Sequence, residues 1–114
     1  AIAAGSADGM NVMGCILSSG PRPDFDAAVH WFSRAAAAGS TKAIRNLGIC
    51  FRDGEGVPRD LAEARRLFEL AAEAGAVNAY NSLGLLYERG EGVEMDAAKA
   101  VEYYRMGAES VHGK

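Results

Sequence analysis

A period dominates this chain. The stretch Leu47-Gly48-Ile49-Cys50-Phe51-Arg52-Asp53-Gly54-Glu55-Gly56-Val57-Pro58-Arg59-Asp60 returns as Leu83-Gly84-Leu85-Leu86-Tyr87-Glu88-Arg89-Gly90-Glu91-Gly92-Val93-Glu94-Met95-Asp96, with each residue displaced by 36 positions. A worn copy begins at Met13-Gly14, 34 residues ahead of Gly48. Self-similarity at such a spacing marks an array of like supersecondary units, none of which buries its apolar face alone. Any reading of fold or function has to pass through that register.

The units are helical. β-branched residues are few and no stretch alternates apolar and polar side chains as a half-buried strand does. Within each unit apolar residues recur at helical spacing: Ala43, Ile44, Leu47 and Phe51, then Leu61, Ala64, Leu67, Phe68 and Ala71. Unit three repeats this with Ala79, Tyr80, Leu83, Leu86 and Tyr87, then Ala100, Val101, Tyr103, Tyr104 and Ala108. Unit one offers Met10, Met13 and Leu17 in a helix over 6–19, then Phe25, Ala28, Val29, Trp31 or Phe32, and Ala35. The expected fold is all-α, an array of about three helix-turn-helix repeats.

Punctuation divides the chain. Asp24, Asp60 and Asp96 each stand where a second helix needs an N-cap, and Asp60 with Glu63 forms a capping-box pattern. Ser40 or Thr41 caps the first helix of unit two. Gly54 with Gly56, and Gly90 with Gly92, turn the chain between paired helices, whereas unit one uses the shorter and stiffer Gly20-Pro21-Arg22-Pro23. Ala1-Ile2-Ala3-Ala4-Gly5 aligns with Ala35–Gly39 and Ala71–Gly75, strings that end a helix with a left-handed glycine. Residues 1–5 therefore read as the end of a preceding repeat, followed by repeats over 6–39, 40–75 and 76–114. Lys99 places a cation where Glu63 stands, at the positive end of its helix. Val111 replaces the capping glycine, so the chain reads as a piece cut from a longer array.

Gly14, Gly48 and Gly84 recur in mid-helix, where glycine costs about 1 kcal/mol relative to alanine. Three copies in register imply close approach of the paired helix, with Ala28, Ala64 and Ala100 as small matching surfaces and the aromatic residues filling the space between units.

The string Ala43…Leu47-Gly48…Phe51…Gly54-Glu55-Gly56-Val57…Asp60…Ala64…Phe68…Ala71-Ala72…Gly75, with its copy from Ala79 to Tyr104, resembles the Sel-like repeat, a relative of the tetratricopeptide repeat with a glycine-bearing turn. The resemblance covers nearly the whole chain and is weakest in unit one, where Gly9 replaces the helix alanine. It implies a right-handed α/α superhelical solenoid that works as a scaffold or adaptor for protein partners and is not generally enzymatic. A cysteine-rich branch linked to β-lactam binding carries recurring paired cysteines, which this chain lacks.

The chemistry of the residues agrees. His30 aligns with Arg66 and Glu102, a polar helix position, and His112 lies near the end of the chain. No nucleophile–base set and no metal-ligand spacing assembles, so neither catalysis nor a cofactor is expected. Gly54-Glu55-Gly56 lacks the strand and the Lys-Ser/Thr of a phosphate loop, which leaves Glu55 and Glu91 as solvated turn residues. Cys15 aligns with Ile49 rather than Cys50, so the two cysteines form no recurring disulfide framework and read as buried thiols. That leaves the compartment open and tips the balance toward the cytoplasm.

Among the 114 residues 24% are charged and the net charge is −3, with no basic block to neutralise a phosphate backbone, so nucleic acid is not an expected partner. No apolar run reaches the roughly 20 residues of a membrane span, and membrane insertion is not expected.

The resemblance to tetratricopeptide arrays implies a concave face lined by the first helix of each unit. Residues turned away from the paired helix are then Asp8, Asn11 and Cys15 in unit one; Lys42, Arg45, Ile49 and Arg52 in unit two; and Asn78, Asn81, Leu85 and Glu88 in unit three. The asparagines suit an extended peptide backbone, Ile49 and Leu85 offer apolar contact, and Lys42, Arg45 and Arg52 form a cationic spot for an acidic segment. A protein or peptide partner is the leading expectation. The alternatives are a small-molecule or β-lactam site and a structural spacer, and open repeat ends offer surfaces for self-association.

Overall fold

The computed structural model describes residues 4–112, with side chains placed for 6–109. Six helices follow one another: α1 (Ala4–Leu17), α2 (Phe25–Ala37), α3 (Thr41–Asp53), α4 (Leu61–Glu73), α5 (Asn78–Arg89) and α6 (Ala97–His112). No strand occurs among the described residues. Each odd-numbered helix packs against the even-numbered one after it, α2 leans on α3 and α4 on α5, and α1 also touches α3. The result is an all-α repeat solenoid with extents of 41 × 34 × 23 Å.

The recurring aspartates start the second helices as their spacing predicts. Asp24, Asp60 and Asp96 each accept the backbone N–H three residues on, from Ala27 at 3.1 Å, Glu63 at 3.1 Å and Lys99 at 3.0 Å. Their own N–H groups donate back to the ends of the first helices, to the carbonyls of Leu17, Phe51 and Tyr87. Each aspartate thus closes the inter-helix turn on both sides. Asp60→Ala is expected to lower stability by about 1 kcal/mol, measured as a shift in the urea midpoint at unchanged slope. An unchanged midpoint would remove the cap from the account.

Several local expectations are corrected. Only half of the capping box forms, because the Glu63 carboxylate turns outward to chelate Arg66 at 2.9 and 2.6 Å rather than reaching back to the Asp60 N–H. Ser40 caps α3, accepting from the Ala43 N–H at 3.2 Å, and Thr41 is its first helical residue. α1 takes in Ala4 and Gly5; the rest of the segment expected to end a preceding repeat, residues 1–3, lies outside those described. Lys99 offsets its place at the helix start by setting its ammonium over the Tyr87 ring, 5.3 Å from the centroid.

The mid-helix glycines do admit a neighbour, and that neighbour is a ring rather than an alanine. A Cβ on Gly14 would stand 2.5 Å from Phe32, one on Gly48 2.7 Å from Phe68, and one on Gly84 2.8 Å from Tyr104. Each aromatic lies over the glycine of its own unit; Ala28 and Ala64 share a core cluster with their rings, and Ala28, Ala64 and Ala100 are all buried. Between units the contact passes to other side chains. Phe68, Ala64, Ala71 and Ala72 of unit two meet Ala79, Leu83 and Leu86 of unit three in the largest core cluster. Ala28 and Phe32 meet Cys50 in the same way.

In α1 the register partners of Asn46, Leu47 and Cys50 are Val12, Met13 and Ile16, and all three are exposed. Met13, expected in the core, is 43% exposed because that face has no helix on it among the described residues.

Candidate functional site

The first helices lie side by side, and their polar positions bridge from unit to unit. Asn46 donates from Nδ2 to Asn11 Oδ1 at 2.9 Å, and approaches Cys15 Sγ at 3.6 Å. One unit on, Arg45 donates from Nε to Ser82 Oγ at 3.3 Å. The donor–acceptor pairs occupy equivalent register positions, so one inter-helix link is made twice with different chemistry. Asn11 is only 6% exposed and Ser82 only 5%, yet both are satisfied by this link.

Beside the link opens a groove of about 410 Å³. Asn11 and Cys15 enter it from α1, Lys42, Arg45 and Asn46 from α3, and Asn78 from the first turn of α5, with the backbone of Gly75 to Val77 as its far wall. The α4–α5 turn supplies that wall, bent at the left-handed Gly75, φ 104°, beside the start of α3. Here the register carries a local difference. Ser40 caps α3, but Ala76 holds the same place ahead of α5, whose start has no side-chain cap.

The groove is cationic, and among the described residues its charges have no acidic partner. Arg45 is half-buried, and its pKa is lowered by that burial and by the nearby Arg52 guanidinium. The ion pairs among the described residues are Arg52–Asp53, Arg65–Glu69 and Arg66–Glu63, and none involves Arg45 or Lys42.

Five of the residues expected on the partner face, Asn11, Cys15, Lys42, Arg45 and Asn78, come together in this groove. The other six do not line it. Asp8 is exposed on α1 outside it, and Leu85 is half-buried. Ile49 packs against the core cluster of units two and three. Arg52 pairs with the adjacent Asp53 at 2.9 Å.

Asn81 and Glu88, expected to turn away from the paired helix, instead lie against α6. Asn81 Oδ1 would stand 3.1 Å from a Cβ on Gly107, and the Glu88 carboxylate accepts from the Tyr104 hydroxyl at 2.7 Å. Sequence reasoning missed Asn46 and the 75–77 wall. The signal for Asn46 was its alignment with Ser82, which makes this register position polar in both units two and three.

The turn glycines serve the stacking. Gly54 and Gly90 end α3 and α5 in the left-handed conformation, while Gly56 and Gly92, also left-handed, press on the preceding unit's second helix at Phe25 and Leu61. Glu55 and Glu91 are half-buried rather than solvated, and Glu91 Oε1 is shut from solvent.

Both cysteines are free thiols; burial, with Glu55 and Asp53 near it, pushes the Cys50 thiol up to about 11, while Cys15 stays accessible from the groove. Among the described residues no group of three metal-ligating side chains forms, and no helix is long and apolar enough to cross a membrane.

Stacked helix pairs with polar links along one face define a helical repeat protein. The Sel1 repeat model matches residues 7–40, 41–75 and 77–112, and the chain belongs to that family.

Among curated relatives, the F-box protein At5g50450 of Arabidopsis thaliana is 51% identical over 41 residues, which are 36% of this chain and 12% of that protein. The protective antigen c5321 of uropathogenic Escherichia coli, described as displaying an SLR fold, superposes with a TM-score of 0.81 at 37% identity, over 92% of this chain and 23% of its own. A Sel1 repeat protein from Oxalobacter formigenes gives 0.82 at 34% identity, over 95% of this chain and 44% of its own. The chain thus spans less than half of each of these proteins. Sel1 repeat proteins are generally protein-interaction scaffolds, and the fold is typically non-enzymatic.

Proposed function

We propose that this chain is an interaction module that takes an extended segment of a protein partner along the face of its first helices, centred on the groove between α1, α3 and the start of α5. The observation that carries the reading is the convergence there of Asn11, Lys42, Arg45, Asn46 and Asn78. Amides that both donate and accept suit a peptide backbone, whose N–H and C=O groups need partners once removed from water. The apolar stems of Lys42 and Arg45 supply contact area beside them.

Selection from a random dodecapeptide display library on the immobilised chain tests this. Selected peptides are expected to protect Cys15 from alkylation and to lose binding to Asn78→Trp, a change at an exposed residue that obstructs the groove while the circular dichroism stays the same. Peptides that leave Cys15 unprotected and bind Asn78→Trp as tightly would move the binding surface elsewhere.

A further inference from the structure

We infer that the groove seats one anionic side chain of the bound segment, a carboxylate or a phosphoryl group, against Arg45 and Lys42. This rests on the peptide-binding reading above and specifies its chemistry.

The first argument is charge without compensation. A half-buried guanidinium gains by acquiring a counter-charge, because partial removal from water weakens its solvation. Arg45 is half-buried and has no carboxylate partner among the described residues, only the neutral Ser82 hydroxyl. That bond engages Nε and orients the guanidinium, leaving the terminal nitrogens for the planar two-point contact that carboxylates and phosphates accept.

The second argument is register. Structural features of this array recur: the glycines under the rings, the aspartate caps, the inter-helix links. Arg45 aligns with Asn11 and Asn81, and Lys42 with Asp8 and Asn78, so the cationic pair occurs in unit two alone. Lys42 and Arg45 lie three residues apart on one helix face, where like charges repel. Neither the fold nor the repeat calls for that pair.

The third argument is the backbone. The start of α5 borders the same groove without a side-chain cap; the Ala79 and Tyr80 N–H groups turn back to the Ala76 and Val77 carbonyls, and the helix start adds the positive end of its dipole. Two cations and a helix start therefore present the same sign to one groove. Asn11, Asn46 and Asn78 flank it with neutral donors and acceptors for the backbone on either side.

The experiment uses the peptides selected from the display library. One selected sequence is synthesised with a fluorescein label in versions that carry, at each acidic position in turn, Asp or Glu, the matching amide, and phosphoserine. The selected pool is expected to be enriched in Asp or Glu at one position. Replacement by the amide at that position should weaken binding about tenfold, and raising the salt should erode the difference.

On Arg45→Gln and on Lys42→Gln the acid and amide versions should converge. Lys42→Gln disturbs no bond within the described structure, so a folding defect in Arg45→Gln would not obscure the outcome. Tighter binding of the phosphoserine version would identify a phosphorylated segment as the source of the anion, and tighter binding of the acid version a carboxylate.

A pool without acidic enrichment, or an acid–amide difference that survives both substitutions, overturns the inference. If those same peptides still protect Cys15, the groove reading stands without it. If they do not, both fall.

Discussion

Phe68→Ala should remove about 3–5 kcal/mol of stability, the range for deleting a fully buried phenylalanine. Small domains have about 5–15 kcal/mol in all. The ring is wholly buried, lies against the place where Gly48 lacks a side chain, and belongs to the cluster that joins unit two to unit three. The substitution therefore opens a cavity inside one helix pair and removes a contact from the next interface. Because the interfaces between neighbours carry much of an array's stability, loss of cooperativity should accompany loss of midpoint. Urea denaturation followed by far-UV circular dichroism reads both, and a change smaller than about 1 kcal/mol would mean that the ring does not pin the units as described.

Gly56→Ala is the second large effect. Gly56 has φ 79°, a conformation that costs an L-residue about 1–2 kcal/mol. Its added Cβ would also stand 2.5 Å from the Phe25 carbonyl oxygen and 2.8 Å from Val29 Cγ2, so the turn of unit two would be pushed off the second helix of unit one. Overpacking of that kind adds about 1–3 kcal/mol, giving a total of about 2–5 kcal/mol. Gly39→Ala is the control: its φ is 103°, but nothing lies within 4 Å of the added carbon, so only the backbone strain applies. Equal destabilisation by the two substitutions would contradict the stacking role of the Gly56 turn.

Most of the fold was legible in the sequence because the array states each rule more than once. A single Asp24 is one acidic residue among many. Asp24, Asp60 and Asp96 in register are a cap, and the structure gives each the same bond. Reading failed where a residue's neighbours come from another unit or where two partners compete. Glu63 had Asp60 behind it and Arg66 ahead, and the guanidinium won with two charge-assisted bonds. The glycines announced a close approach but not what would approach, since an aromatic ring and an alanine both lie within reach on the facing helix.

The candidate site was half legible for a related reason. Helical spacing tells which way a side chain leaves its own axis, and that was enough to collect Asn11, Lys42 and Arg45. It does not tell where a neighbouring turn folds over. The wall made by Gly75 to Val77 closes the groove near the start of α5, so Asn78 faces it while Asn81, one turn on, sits against α6. Asn46 went unnoticed because it falls between the apolar stripe and the outward positions of α3, and its partner Asn11 comes from another unit.

The ring-on-glycine contact separates two kinds of evolutionary freedom. Phe32, Phe68 and Tyr104 differ in chemistry yet hold their helix pairs together over the same vacant position. Lys42, Arg45 and Asn78 take no part in those contacts. Exchanges at Lys42 and Asn78, which make no bond between units among the described residues, can change the charge of the groove while the ring contacts are left alone. A lineage of such arrays can therefore change its partners one surface residue at a time, without passing through an intermediate that fails to fold.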